Sequence, residues 1–149
     1  MTFLLLKTLH VLTAMVAVGA NATYGIWLAR AGRRPEELAF ALRGIRWIDN
    51  HVANPAYVLL LPTGLAMAHA ARLPLRTPWL MAALGLYAML AAVGLLGYTP
   101  TLRRQIAALE SDGVGSSRYR QISRRSTALG ALLGVLALAI VTLMVWHGA

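Results

Sequence analysis

Four stretches of the chain hold no Asp, Glu, Lys or Arg: residues 8–29, 50–71, 77–102 and 126–149, with lengths of 22, 22, 26 and 24. A helix needs about 20 apolar residues to cross a bilayer, so each stretch is long enough to span. Span one gives way near Ala31-Gly32, and Pro35-Glu36-Glu37 has the form of a new helix start with acids in its first turn. Leu38, Leu42 and Ile45 then recur at i, i+4 and i+7, which predicts an amphipathic helix over 35–49 on the inner membrane surface, with Arg43 and Arg46 toward phosphates. The connection from Arg72 to Pro78 is short, and Thr77-Pro78 reads as an N-cap followed by proline at the first helical position, so spans two and three form a hairpin. Helical spacing continues after span three through Leu102, Ile106 and Leu109, until Asp112-Gly113-Val114-Gly115-Ser116-Ser117 breaks it. Pro55 and Pro62 fall inside span two as kinks, which membrane helices tolerate. The expectation is an all-α, single-domain, four-transmembrane-helix bundle of up-down-up-down order over residues 1–149.

Charge orients this bundle. Arg30, Arg33, Arg34, Arg43 and Arg46 lie between spans one and two, and Arg103, Arg104, Arg118, Arg120, Arg124 and Arg125 between spans three and four. The other side receives only Lys7, Arg72 and Arg76. By the positive-inside rule both long connections are cytoplasmic and both termini outside, in a bacterial inner membrane. The net charge of +9 is thereby explained by short patches beside the spans, which meet anionic lipid headgroups, and nucleic acid is not an expected partner. Trp27 and Trp47 fall at the inner interface and Trp79 and Trp146 at the outer one, as an aromatic belt. Lys7 ahead of an apolar run and Ala20-Asn21-Ala22 mimic a signal peptide, but the run continues through Trp27 and Leu28, so an uncut first helix is expected.

Composition then limits the chemistry. Of 149 residues 58% are hydrophobic and 13% charged, against about 25% charged in an ordinary soluble domain. There is no cysteine, which removes disulfides, thiolate metal sites and cysteine nucleophiles. The five carboxylates, Glu36, Glu37, Asp49, Glu110 and Asp112, all lie outside the uncharged stretches, which argues against an ion-coupled transporter. Methionines are scattered, so a copper or small-molecule permease has no clustered ligands.

The histidines are the candidate ligands. Counted from the centre of each span at 1.5 Å per residue, His10 and His69 lie ~13 Å and His147 ~14 Å toward the outer face. His51 lies ~14 Å toward the inner face, and its separation of five full helical turns from His69 puts both on one side of span two. On one reading His10, with His69 or His147 at its level, binds a planar cofactor such as haem, or a metal at His10; on the other, histidines at this depth only satisfy hydrogen bonds. Asn21, near the midplane, is expected to bridge helices, and Asn54 to bond a nearby backbone group. Gly19, Gly64, Gly94, Gly97, Gly130 and Gly134 permit close helix contact.

The string Leu4-Leu5-Leu6-Lys7-Thr8-Leu9-His10-Val11-Leu12, then Asn54-Pro55-Ala56 and Gly64, then Pro100-Thr101-Leu102-Arg103-Arg104 and Leu143-Met144-Val145, resembles the bacterial four-helix membrane proteins grouped as domain-of-unknown-function family 2269. Order and spacing over the whole chain carry this resemblance. More distantly, the first helix resembles that of the copper-resistance D proteins and of the J-type protoporphyrinogen oxidase, which carries haem b. That resemblance implies an axial-ligand role for the histidine of Lys-x-x-His, here His10. The oxidase also has histidine and lysine at the start of its third helix, where this chain reads Trp79-Leu80-Met81-Ala82-Ala83-Leu84, so protoporphyrinogen oxidation does not carry over. The leading functional expectation is a non-enzymatic packing or accessory subunit that pairs with another membrane protein or with itself. The alternative is a haem b redox protein with His10 as ligand, and the third a permease.

Overall fold

The computed structural model describes residues 1–32 and 34–147. Arg33 and residues 148–149, which the sequence reading places in the first connection and at the end of span four, lie outside them. The described residues are helical with no strand: α1 (Thr2–Ala31), α2 (Pro35–Ile48), α3 (Asn54–Ala70), α4 (Pro78–Ala92), α5 (Thr99–Asp112) and α6 (Ser117–His147). A π-helical segment, Asp49–Ala53, joins α2 to α3, and a second, Val93–Tyr98, joins α4 to α5, so the chain folds into four rods. Three helices are long and apolar enough to cross a membrane: Thr2–Ala31, Pro78–Asp112 and Ser117–His147. Within the second rod, α3 has 17 residues.

The boundaries follow local chemistry. Gly32 ends α1 at φ 58, a conformation that costs glycine little, and Arg34 in extended conformation presents Pro35 to the first turn of α2. Thr77 and Pro78 open α4 as expected. Gly113 at φ 77 closes α5, and Ser116 Oγ accepts the Tyr119 N–H at 3.0 Å to cap α6, nine residues ahead of the uncharged stretch. The α3 end is closed by a Leu73 N–H bond to the Ala68 carbonyl, with Arg72 at φ 53 in the place glycine usually takes.

Proline accounts for the π segments. Pro55 and Pro100 have no N–H and their rings press on the preceding turn, and in each case the π segment lies immediately upstream. The backbone there bonds five residues back, Asn54 N–H to Asp49 C=O and Thr99 N–H to Gly94 C=O. A uniform helix therefore does not connect His51 to His69, and the five-turn count that put them on one side does not apply across residues 51–53.

The rods pair through contacts whose residue numbers rise on one rod as they fall on the other. His10 meets Thr63, and Asn21 meets Tyr57, between α1 and α3. Gly97 and Gly94 receive Leu129 and Leu133 of α6, where a Cβ on Gly97 would sit 3.4 Å from the leucine methyl. The densest packing lies at the end formed by α2, α5 and the start of α6, with Leu42, Ile45, Leu102 and Gln105 fully buried. One expectation changes here. Leu38, Leu42 and Ile45, expected on a membrane surface, are 5%, 0% and 0% exposed because they pack against the rest of the protein, with α5 beside them. The outward hydrophobics of α2 are Phe40 and Trp47, and Arg43 pairs with Glu110 of α5 at 3.1 Å.

Candidate functional site

His10 sits at a point where α1 and α3 come close. A Cβ on Gly64 would lie 3.2 Å from His10 Cε1, so the glycine makes room for the ring. The side chain of Thr63, itself buried, lies 2.8 Å from His10 Nδ1. The single Thr63 hydroxyl proton goes to the Leu59 carbonyl at 2.7 Å, with the Leu60 carbonyl at 3.1 Å. Thr63 Oγ1 can then only accept from the imidazole, which assigns the ring proton to Nδ1 and leaves the Nε2 lone pair free. Histidines that ligate metals commonly hold their second nitrogen in this way.

The other candidates lie apart from that ring. His69 and His147 are exposed; His147 stacks on Trp79 with ring centres 6.0 Å apart, and its Nδ1 lies 3.2 Å from the Leu143 carbonyl. His51 is likewise exposed, stacked on Trp47 at 4.9 Å with Nδ1 2.9 Å from the Trp47 carbonyl. Among the described residues no group of three or more His, Cys, Asp or Glu side chains gathers as a metal site. For haem, then, the residues fit in part: His10 is one nitrogen donor, held at Nδ1 by Thr63 and beside Gly64, and neither His69 nor His147 joins it.

A second polar constellation forms where the first π segment meets the start of α5. Asp49, the first residue of the first segment, is 5% exposed. Its Oδ2 accepts from Asn54 Nδ2 and from Thr99 Oγ1, both at 3.3 Å, so the Asn54 amide bonds a side chain where a backbone partner was expected. Three ion pairs form among the described residues, Arg34–Glu37, Arg43–Glu110 and Arg118–Asp112, and Asp49 takes part in none. Asp49 precedes the second uncharged stretch, and burial pushes its carboxyl above the ordinary carboxylate range, while its polar neighbours Thr99, Asn54 and Tyr24 act in the opposite direction. Beside it Tyr24 stacks on Tyr98, with centroids 6.4 Å apart and planes 4° apart, and the buried Tyr24 hydroxyl has no hydrogen-bond partner. One turn farther along, Asn21 Nδ2 donates to Tyr57 Oη at 2.7 Å, the expected helix bridge, and Tyr87 Oη donates to the Tyr57 carbonyl at 2.8 Å.

The sequence reading misses Asp49 because it counts the residue as one of five carboxylates outside the spans. The signal is nevertheless present. Leu38, Leu42 and Ile45 continue at the next helical interval to position 49, so the carboxylate stands on the buried stripe. Tyr24, Tyr98 and Thr99 have no comparable signature, because only the packing of α1 against the second π segment brings them to Asp49.

A comparison with curated proteins and with solved structures finds no match to either. The profile of one protein family does match, over residues 4–147, and it covers both constellations and all four rods. Four helical rods with three long apolar spans, built on a sequence that follows this profile almost from end to end, establish that the chain belongs to the DUF2269 family of predicted integral membrane proteins.

Proposed function

We propose that the protein is a packing or accessory subunit of a bacterial inner-membrane assembly, crossing four times with both termini outside. The observation that carries this reading is the open face of α1. Leu12, Met15, Gly19, Ala22 and Ile26 all point away from the bundle and repeat at intervals of three and four residues. That is the seam spacing of a helix pair, with the two smallest residues next to each other at its centre and nothing within 4 Å of where a Gly19 side chain would stand. Within lipid, small residues favour association because they let backbones approach closely. A facing helix from a second copy or from another membrane protein would lie along this seam, and Arg-rich ends would hold the assembly against anionic headgroups.

The chain has no native cysteine, so single cysteines report without background. Cysteine placed singly at 12, 15, 19, 22 or 26 and oxidised in native membranes should give a disulfide-linked dimer or a larger adduct at 12, 19 and 26 and little at the exposed position 58 of α3. Equal yields at seam and control positions, or none at any of them, would remove the reading.

The Thr63–His10–Gly64 arrangement favours a second reading, a haem b redox subunit with His10 as one axial ligand. The group would supply one-electron transfer, and the chain would supply an imidazole of fixed tautomer through Thr63. Since His69 and His147 are exposed and engaged elsewhere or unpaired with His10, a second ligand would come from outside this contact. The reduced-minus-oxidised absorption spectrum of the purified protein tests it: a b-type band lost in His10→Ala supports the reading, and a featureless spectrum from folded, haem-replete protein overturns it.

A further inference from the structure

We propose that the point where Asp49 of the first π segment meets Thr99 at the start of α5 binds an alkali metal cation, held through oxygen by the Asp49 carboxylate, the Thr99 hydroxyl, the Asn54 amide and the Tyr24 hydroxyl. The inference is independent of how the protein pairs and of what His10 holds.

Four observations bear on it. The carboxylate is 5% exposed and forms no ion pair with any described cation, so its charge is not neutralised within the described chain. Its two donors stand at 3.3 Å, longer than the 2.7–3.0 Å typical of good hydrogen bonds, so they hold it weakly. The Tyr24 hydroxyl is buried beside the Asp49 carboxyl but forms no bond to it within ordinary hydrogen-bond distance, and a buried hydroxyl oxygen that accepts nothing costs free energy until something fills its lone pairs. Finally, the Asp49 and Gly94 carbonyls take their donors from five residues on, Asn54 and Thr99, so the helix is interrupted on both sides of the Asp49–Thr99 contact, and interrupted helices are where membrane proteins hold small cations.

The charge count selects the class of ion. One carboxylate and neutral oxygens make a site of net charge −1. A monovalent cation leaves it neutral, whereas a divalent ion would leave an uncompensated positive charge away from water. Oxygen donors with no imidazole or thiolate suit a hard ion over a transition metal. The Asn54 amide presents nitrogen to Asp49 in this structure, and turning it over presents oxygen at the same position. A proton competes for the same carboxylate, and the other titratable groups coupled to it are Tyr24 of α1, Tyr57 of α3 and Tyr98 of the second π segment.

The test uses the full chain, purified in detergent and dialysed into choline chloride in mildly alkaline buffer, with radiolabelled sodium and radiolabelled rubidium as separate probes. Saturable binding of one ion per chain, displaced by the unlabelled ion and not by choline, is the expected result. Asp49→Asn should abolish it, Tyr24→Phe should weaken it by about tenfold, and acidification should displace the ion as Asp49 takes up a proton. If Asp49→Asn does not give monodisperse protein, Tyr24→Phe and Thr99→Val carry the comparison, since neither removes the carboxylate. Neither probe binding above the choline background overturns the proposal, as does a melting temperature that responds to pH and not to sodium or rubidium, which would make Asp49 a protonated structural carboxyl.

Discussion

Thr63 has one hydroxyl proton and directs it to the backbone of its own helix, and this small fact sets the state of His10 on the neighbouring helix. With Nδ1 carrying the proton, Nε2 is the only ring atom able to coordinate. If His10 ligates haem b, the reduced-minus-oxidised absorption spectrum of protein prepared from cells supplied with a haem precursor shows a b-type band. His10→Ala should abolish that band, and Thr63→Val should reduce haem occupancy by about tenfold because the ring loses its orienting partner. A featureless spectrum from folded, haem-replete protein would set the haem reading aside and leave His10 as the packing partner of Gly64. Asp49 shows the same dependence on neighbours: its residue type is plain in the sequence, yet its burial is decided by Asn54, Thr99 and Tyr24 around it.

Among the elements, α2 carries an amphipathic pattern that the sequence directs to a membrane surface and the structure turns toward protein. Periodicity in Leu38, Leu42 and Ile45 states that one face avoids water, and it is silent on whether lipid or protein covers that face. The structure covers it with protein, α5 lying alongside. The energetic consequence differs from that of α1. Removing a fully enclosed leucine leaves a cavity, so Leu42→Ala should cost about 3 kcal/mol. Leu12, 55% exposed on the open face of α1, sits where lipid tails replace what is removed, so Leu12→Ala should cost less than about 1 kcal/mol. Unfolding in mixed micelles by increasing denaturing detergent measures both, and similar losses for the two variants would contradict this division of the molecule. The π segments belong to this scale as well. Pro55 is legible as a helix disturbance and Pro100 is not, and a π turn changes the helical phase of everything after it, so no count from the sequence alone carries across it.

Taken as a whole, the molecule crosses four times only if the second rod spans, and its α3 helix has 17 residues within an uncharged stretch of 22. Arg34 and Leu73 flank that rod and are both exposed, so single cysteines at these positions report the sides of the membrane. A membrane-impermeant maleimide applied to intact spheroplasts should label Leu73→Cys and leave Arg34→Cys unlabelled until the membrane is opened. Labelling of both positions, or of neither, would place them on one side and reduce the bundle to three crossings.

Features that each residue settles with its solvent are legible in the chain alone: which stretches exclude charge, where arginines collect, where glycine and proline end helices, and that the chain is a membrane protein. Hydrocarbon rejects a charge wherever the rest of the chain lies, so these features need no knowledge of neighbours. Tertiary structure alone decided the pairing of His10 with Thr63, the enclosure of the α2 stripe and the gathering of Asp49, Asn54, Thr99 and Tyr24. Each of those depends on which rods lie side by side and at what helical phase, and the phase is reset at Asp49–Ala53 and at Val93–Tyr98 by the prolines that follow them.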